Sequence, residues 1–473
     1  MSVLLALLFV TLPLDAFGRV VGGHLITPSD IVGALIAILT LERLTTRRYV
    51  VHAIADKALL AFMLFILLGT ISMIVSPDAP QILGKGLFQV CGVAIKILVC
   101  VAMINEVSRR PVLFGGYIHL SVTVLAVVAL IAIAQFGLAN ILGHPHALEF
   151  GFLNNWAGGN VWYSRGSLDG MARASSVLQE PSALGMVLGL GAGVSLIRIG
   201  LLGVSYRTVI SPVVPMWTAA TIVGGFIATI SLIDFLLLFI VAASLWTIAR
   251  SIGAGAWVTI TVSVAIFVSV VYASSSAALP QLREKLGALS AITSDDLQLN
   301  SAQDLSAITL AVNLNVMWTN LATDPTLGAG LGAHPVTYER QNPGLGLLPA
   351  DIVREGLNKE DAASLITRLL SETGLLGTLA FIGGWLLAAA RSRRFILASI
   401  AGERSPNAFV ALAIGITASM IGVGLACMVR APQYYAPWFW LPMALTASVP
   451  ALIAQVEVAG ESPTFQSEVP SQH

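Results

Sequence analysis

The chain carries little charge for its length. Of its 473 residues, 11% are charged, and 25 basic and 25 acidic side chains give a formal net charge of zero. Soluble domains usually carry about 25% charged residues. No basic block of the kind that binds nucleic acid occurs, so no nucleic-acid partner is predicted. The shortage of charge argues against an ordinary soluble protein.

Cysteine is also scarce. The three cysteines, Cys91, Cys100 and Cys427, all fall inside apolar segments. This placement argues against a disulfide framework and indicates small core side chains. His144 and His146 lie close together, but the sequence shows no third and fourth ligand beside them. We therefore predict no metal site and no cofactor.

Long apolar runs are abundant. Apolar residues make up 56% of the chain, and the mean hydropathy is +0.85. A helix of about 20 apolar residues crosses the roughly 30 Å hydrocarbon core of a bilayer. The runs show no barrel-like alternation, so we predict an all-α polytopic membrane protein. Its roughly twelve spans are predicted at 3–17, 27–43, 57–75, 86–105, 114–138, 179–199, 211–228, 232–249, 254–274, 364–390, 406–427 and 434–455.

The distribution of lysine and arginine predicts the orientation. With the N-terminus inside, the short outer loops hold only Arg19, Lys85 and Arg430, and the inner loops hold the other basic residues of the short loops. Positive residues concentrate on the cytoplasmic side of membrane proteins. Both termini are therefore predicted to be cytoplasmic.

This topology divides the chain into parts. An integral membrane domain covers 1–456, and two large loops, 139–178 and 275–363, face the periplasm. The tail, 457–473, is rich in Pro, Ser, Gln and Glu, a composition typical of disorder. Residues 3–17 lack a positive n-region and a small-residue cleavage site, so we interpret them as a membrane helix and not as a signal peptide.

The second large loop has an amphipathic stretch. Apolar residues recur at helical spacing in Ser301–Leu321, which predicts a helix that lies on the membrane surface or caps the bundle. A Gly328-x-Gly330-x-Gly332 run follows. It lacks the Gly-Lys-Ser/Thr ending of a phosphate loop, so no nucleotide site is predicted.

Four arginines lie where the predicted outer loops meet the membrane. Arg173, Arg340, Arg354 and Arg368 together would suit an anionic group, because a guanidinium binds phosphate oxygens with a planar fork of donors. Each is also explained by snorkelling to the interface or by a local ion pair. Lys96 is the one charged residue deep in a predicted span, and we interpret it as structurally paired inside the bundle.

Carboxylates and a histidine at the same level are candidates for acid–base chemistry. Glu180 and Glu372 lie beside apolar runs, where such groups act as acid or base, or cap a helix, or pair with an arginine. His334 is a candidate general base, and incidental placement in the loop is the alternative. Ser364 has no Asp and His partners at a recognisable spacing, which argues against a hydrolase-like nucleophile.

Three motifs occur in order along the chain. They are Arg173 followed after six residues by Glu180-Pro181-x-x-x-Gly185, then Asp324-Pro-x-x-Gly328-x-Gly330, then Ser364 followed after nine residues by Gly374-Leu-Leu-Gly377. With about twelve spans and a large loop between the ninth and tenth, this layout resembles the O-antigen ligase and O-antigen polymerase superfamily of bacterial envelope glycosyltransferases.

The resemblance implies a GT-C-like, metal-independent glycosyltransferase in the bacterial inner membrane, with its active site facing the periplasm. Its donor would be an oligosaccharide on undecaprenyl diphosphate, and its acceptor a glycan or lipid A core. The resemblance assigns diphosphate binding to Arg173, Arg340 and Arg368. It implies catalytic roles for Glu180, His334 and Ser364. A chain-length regulator protein is a further implied partner.

One departure bears on the activity. Ligases of this superfamily carry a histidine just before the motif serine, where this chain has Ala363. We therefore expect a polymerase of O-antigen or exopolysaccharide repeat units. Ligation of a finished glycan to lipid A core or to protein is the nearest alternative. A lipid-linked-glycan flippase or transporter is the alternative of another class, although such proteins usually carry broken or polar helices at mid-membrane.

Overall fold

Helices form most of the described structure. The computed structural model describes residues 1–21, 24–49, 56–144, 146–150, 167–168, 171–178, 181–201, 203–229, 231–249, 305–341, 362–402, 407–429 and 434–459. Within these residues the helices, numbered in chain order, are α1 Ser2–Thr11, α2 Pro28–Thr45, α3 Lys57–Val75, α4 Ala79–Arg109, α5 Val112–Asn140, α6 Pro181–Leu196, α7 Gly203–Ile210, α8 Met216–Thr229, α9 Leu232–Ala249, α10 Leu305–Thr323, α11 His334–Gln341, α12 Leu365–Gly402, α13 Ala408–Val429 and α14 Pro437–Ala459.

Short non-α elements connect some of these helices. A 3₁₀ helix, Leu12–Phe17, follows α1, and a π-helical turn, Ile197–Leu201, follows α6. Two antiparallel hairpins are also present. They pair β1 (Arg19–Val21) with β2 (His24–Ile26), and β3 (Ser167–Leu168) with β4 (Met171–Ala172).

Several helices can cross a membrane. Among the described residues, six are long and apolar enough: Lys57–Val75, Ala79–Arg109, Val112–Asn140, Pro181–Gly200, Leu365–Ala401 and Ala408–Val429. Shorter apolar helices cover Ser2–Asp15, Met216–Thr229 and Asp234–Thr247. A helical, multi-pass membrane protein is thus confirmed. The total of about twelve spans, the orientation and the inner-membrane location stay predictions, and the ninth span, 254–274, lies outside the described residues.

The amphipathic stretch of the second large loop is helical. The helix predicted at Ser301–Leu321 corresponds to α10, which begins at Leu305 and ends at Thr323. Val312 and Val316, two of its apolar positions, are buried. Because α10 packs on α12, this part of the loop rests on the helical bundle.

Side-chain caps fix where two helices begin. Thr27 forms a capping box, since its hydroxyl accepts from the Asp30 N–H while the Asp30 carboxylate accepts from the Thr27 N–H at 3.3 Å. Asp56 caps α3 by accepting from the Ala58 N–H at 2.8 Å. Such caps satisfy backbone donors that the first helical turn leaves open.

Glycines allow α6 and α13 to pack with their backbones close together. A Cβ added at Gly193 would collide with the carbonyl oxygen of Gly415, and one added at Gly415 would lie 2.8 Å from the Val194 nitrogen. Small residues permit such close approach between membrane helices. The contact holds α6 firmly against the bundle.

An aromatic cluster joins α3, α12 and the segment before α14. Phe65 and Phe381 meet edge to face at 5.0 Å, and Phe65 lies 5.5 Å from Tyr434. The Trp440 indole N–H donates to the Tyr434 carbonyl at 2.7 Å. Tyr434 is therefore held against α12 by packing on several sides.

Lys96 has a carboxylate partner. Its ammonium lies 3.0 Å from Asp30 Oδ1, and the lysine side chain is 3% exposed. The prediction of structural pairing is confirmed. The partner was not evident from the sequence because it lies 66 positions earlier in the chain.

Candidate functional site

Helix α12 is broken at Gly374, whose φ of 58° and ψ of −161° are non-helical. The glycine-rich turn, defined here as residues 324–333, inserts its backbone into the break. Four backbone hydrogen bonds of 2.9–3.1 Å join the two, and they run from Ala329 N to Ser371 O, from Gly330 N to Glu372 O, from Leu375 N to Pro325 O and from Leu376 N to Thr326 O. The turn thus replaces the helical hydrogen bonds that the break removes.

Two glycines face each other at this junction. A Cβ added at Gly374 would lie 2.5 Å from the Thr326 oxygen and 2.6 Å from the Gly328 nitrogen. Ser72 and Ser76 of α3 complete the junction by donating to the carbonyls of Leu327 and Ala329, each at 2.5 Å. The glycine run therefore serves close backbone packing, consistent with the argument against a nucleotide loop.

Arg368 and Glu372 form a buried pair just before the break. Both side chains are fully buried, and Arg368 Nε lies 3.5 Å from Glu372 Oε2. The Tyr434 hydroxyl donates to the same Oε2 at 2.9 Å. The Arg368 guanidinium carbon lies 4.7 Å from the centre of the Tyr434 ring, within the range of a cation–π contact.

The two oxygens of Glu372 have different surroundings. Oε2 accepts from Tyr434 and Arg368, whereas the buried Oε1 has no hydrogen-bond partner among the described residues. Buried polar atoms nearly always have such a partner, so each exception needs an explanation. Oε1 is an open acceptor next to a fixed positive charge.

His334 lies in a hydrogen-bonded chain on the other side of α12. Its Nδ1 lies 2.8 Å from Ser371 Oγ and its Nε2 lies 2.9 Å from Asn313 Oδ1. The Asn313 amide donates to the Thr309 carbonyl, and the Asn320 amide donates to Ser371 Oγ. Asn313 Oδ1 is thus an acceptor, so Nε2 carries the proton and Nδ1 accepts from Ser371.

The surroundings of His334 favour this neutral form. Burial lowers its pKa from 6.5 to about 3, and the positive charges of Arg368 and Lys85 act in the same direction. Such a low pKa makes His334 a weak base at neutral pH. Its two hydrogen bonds instead orient the Ser371 hydroxyl and tie α11 to α10 and α12.

The low pKa of His334 predicts acid-sensitive stability. In the unfolded chain this histidine binds a proton near pH 6.5, whereas in the folded chain it stays neutral down to about pH 3. Stability should therefore fall by up to about 1.4 kcal/mol per pH unit as the pH drops from 6.5 towards 3. His334→Gln should remove this part of the slope. The free energy of unfolding in mixed micelles at several pH values measures it.

A matched control uses an exposed histidine. His144→Gln changes a side chain on the surface, so its pH dependence should equal that of the wild type. An unchanged slope in His334→Gln would contradict the assigned neutral state.

Ser364 caps α12. Its hydroxyl accepts from the Thr367 N–H at 3.1 Å and lies 2.6 Å from the Thr367 hydroxyl. Ala362 and Ala363 precede it with φ of 61° and 59°, a left-handed turn into the helix. The catalytic role implied for Ser364 stays a prediction, and the capping contact gives the residue a structural function.

Arg173 lies near a buried carboxylate that the sequence did not single out. Its Nε donates to the Thr229 carbonyl at 3.1 Å. Burial lowers the pKa of the Arg173 guanidinium, while the negative charge of Asp234 acts in the opposite direction. Asp234, in the first turn of α9, is fully buried. A Cβ added at Gly185 would collide with its carboxylate.

Gly185→Ala is expected to displace Asp234. Overpacking a filled core typically costs about 1–3 kcal/mol, and here the displaced group is a carboxylate near Arg173. The double variant Gly185→Ala/Asp234→Ala should recover part of that loss, because the colliding atoms are gone. Gly116→Ala, where an added Cβ meets nothing within 4 Å, is the control. Thermal unfolding in detergent of the wild type, Gly185→Ala, Asp234→Ala and the double variant measures the coupling, and strictly additive effects would contradict the contact.

The other predicted residues have separate positions. Arg340 is 60% exposed and its Nη2 lies 2.6 Å from Asp78 Oδ1. The three predicted arginines thus lie near three different carboxylates, Asp234 for Arg173, Asp78 for Arg340 and Glu372 for Arg368. Glu180 and Arg354 lie outside the described residues. A shared diphosphate site for the three arginines stays a prediction.

Four residues of the site had no sequence signal of their own. Asn313, Asn320, Ser371 and Tyr434 are ordinary polar residues in apolar surroundings, and their contacts join positions 21 to 62 apart in the chain. The sequence shows the polar residues Asn313 and Asn320 along α10. Only the fold shows that they face His334 and Ser371.

The chain matches no family model and no curated protein.

Proposed function

We propose that the protein is a glycosyltransferase of the bacterial inner membrane that polymerises undecaprenyl-diphosphate-linked repeat units at the periplasmic face. The observation that carries the proposal is the open acceptor Glu372 Oε1 beside Arg368, both buried where α12 is broken. A base and a fixed cation are the two groups that such a transfer needs.

In this proposal Glu372 is the general base. The hydroxyl oxygen of the acceptor sugar attacks the anomeric carbon of the donor, and its proton passes to Glu372 Oε1. The bond between the anomeric carbon and the diphosphate oxygen breaks, and the lipid diphosphate leaves with the electron pair. Tyr434 and Arg368 hold Oε2, so Oε1 has a fixed position.

Positive charges would stabilise the leaving diphosphate. Arg368 and Lys85 both act electrostatically on His334, so the two cations lie in the same part of the molecule. Fixed cations in a site of low dielectric stabilise developing negative charge without reorganisation. Arg173 keeps its proposed role as a diphosphate contact from the neighbouring helices, with Asp234 positioning it.

Binding requires the site to open. Arg368 and Glu372 are fully buried, so an acceptor sugar reaches Oε1 only after a covering segment moves. The glycine-rich turn and Tyr434 contact this part of α12, as do Ser72 of α3 and Asn320 of α10. We propose that donor binding displaces the turn or Tyr434.

The direct test is reconstitution. Purified protein in nanodiscs, supplied with an undecaprenyl-diphosphate-linked repeat unit, should give products of several repeats on a gel. Glu372→Gln should lower the rate at least about 100-fold, the usual size of a general-base contribution. The rates are compared at equal amounts of folded protein, because the variant leaves Arg368 buried without its carboxylate. Arg173→Ala should also abolish activity. A wild-type rate in Glu372→Gln would refute its role as base.

Deletion of the gene separates polymerase from ligase. Loss of the glycan ladder with a single repeat unit retained supports a polymerase. Lipid-linked polymer together with bare lipid A core would show a ligase instead. Unchanged glycan length and attachment would contradict both.

A further inference from the structure

An apolar cavity of about 340 Å³ lies between α2, α4 and the segment before α14. Its walls are almost entirely hydrocarbon, and the polar side chains of Asp30, Lys96 and Tyr435 line part of it. Ile31 and Leu35, on its α2 wall, are 56% and 48% exposed. Because α2 packs on α4, which is long and apolar enough to cross a membrane, we infer that the mouth of the cavity faces lipid.

Tyr435 connects this cavity with the Arg368–Glu372 pair. Its ring packs on Gly92, where an added Cβ would lie 2.7 Å away, and it meets Phe88 edge to face at 5.6 Å. The preceding residue, Tyr434, donates to Glu372. The charges of both Arg368 and Asp30 act on the Tyr435 hydroxyl. Of these two adjacent tyrosines, Tyr435 lines the cavity and Tyr434 contacts the buried Glu372 carboxylate.

We propose that the cavity binds the isoprenoid chain next to the diphosphate of the lipid-linked substrate. This rests on the proposed function, in which the substrate joins a long hydrocarbon to a diphosphate that Arg368 would contact. The volume falls within the usual range of about 300–1,000 Å³ for ligand pockets. Burial of the chain against these walls is favourable even from lipid, through close packing.

The ion pair of Lys96 and Asp30, at the polar end of the cavity, fits an isoprenoid chain that carries a phosphate. Lys96 is held by Asp30 at 3.0 Å, which fixes its ammonium at the edge of the apolar walls. A lipid chain lying there carries its phosphate at its polar end. Lys96 and Tyr435 line the same cavity, and the charge of Arg368 acts on the Tyr435 hydroxyl.

Cys91 provides a test that is independent of turnover. It lines the cavity and is exposed, whereas Cys100 and Cys427 are fully buried. A membrane-permeant maleimide should therefore label Cys91 in the wild-type protein in nanodiscs. Undecaprenyl diphosphate should slow this labelling at least about tenfold, while phosphatidylglycerol at the same mole fraction should not. Mass spectrometry of the labelled peptides measures both rates.

Filling the cavity should remove the protection. Ala34→Trp places a large ring on the α2 wall, and Ile38→Trp, on the same helix at a residue that is 63% exposed and outside the cavity, is the matched control. In Ala34→Trp we expect no protection by undecaprenyl diphosphate and a KM for the lipid-linked donor at least about tenfold higher, the size expected for about 1.4 kcal/mol of lost binding. Ile38→Trp should behave as the wild type.

The outcomes distinguish the two proposals. Equal protection by both lipids, or none by either, would overturn the cavity assignment even if the protein polymerises glycans. If undecaprenyl diphosphate alone protects Cys91 but no polymer forms, the cavity assignment stands and the polymerase proposal is refuted. Loss of protection in both tryptophan variants would also contradict the cavity, because the effect would not depend on filling it.

Discussion

Replacing Arg368 with methionine is expected to destabilise the protein by about 3–5 kcal/mol, because it leaves the Glu372 carboxylate buried without its cation. Both side chains are fully buried, and Arg368 Nε lies 3.5 Å from Glu372 Oε2. The guanidinium also stacks on Tyr434, so its loss removes packing as well as charge. Titration of the folded protein with SDS in mixed micelles measures the change.

The double variant Arg368→Met/Glu372→Leu separates stability from function. Replacing both members of a buried ion pair with apolar groups is often neutral or stabilising, so the double variant should regain most of the stability of the wild type. It should remain inactive, because it has neither the proposed base nor the proposed cation. A double variant as unstable as Arg368→Met would contradict the pairing. An active double variant would contradict the proposed site.

Replacing Gly374 with alanine should have the second large effect. Its φ of 58° and ψ of −161° belong to a region of the backbone map that is essentially confined to glycine, and such strain costs about 1–3 kcal/mol. The added Cβ would also lie 2.5 Å from the Thr326 oxygen, and backbone atoms cannot move aside as a flexible side chain does. Together we expect a loss of about 2–6 kcal/mol.

Gly383→Ala is the matched control for this variant. It lies in the same helix, and a Cβ there meets nothing within 4 Å. Gly383→Ala should change the free energy of unfolding by no more than about 1 kcal/mol. The change should be stabilising, because alanine has the higher helix propensity. Both variants are compared by thermal unfolding in detergent and by activity. Similar behaviour of the two would show that the break at Gly374 is not required.

The sequence predicted the helices well because their signal is local. Apolar runs and the spacing in 301–321 depend on neighbouring residues only, and α10 begins four positions after and ends two positions after its predicted bounds. The pairing of Lys96 was also predicted from the cost of a charge in lipid. Its partner, Asp30, could not be, because the choice among distant carboxylates depends on how α2 and α4 pack.

Some residues of the site were also predicted from local signals, but their arrangement was not. Arg368 and Glu372 were singled out as charged residues at helix ends and His334 as a loop histidine, and the structure places them around one stretch of α12. The break at Gly374 was not predicted. A glycine in an apolar run has many explanations, and only the hydrogen bonds to the distant residues 325–330 distinguish a break from a continuous helix.

The bonds that bridge the break at Gly374 also bear on assembly. In lipid an unsatisfied backbone group costs several kcal/mol, and four backbone groups around Gly374 find their partners in the glycine-rich turn. During synthesis this turn emerges before α12. Its hydrogen bonds to the residues around Gly374 can therefore form only after α12 has been inserted beside it. The loop and the membrane helix therefore mature as one unit, and a cut or insertion between α11 and α12 is tolerated only if the turn still reaches Gly374.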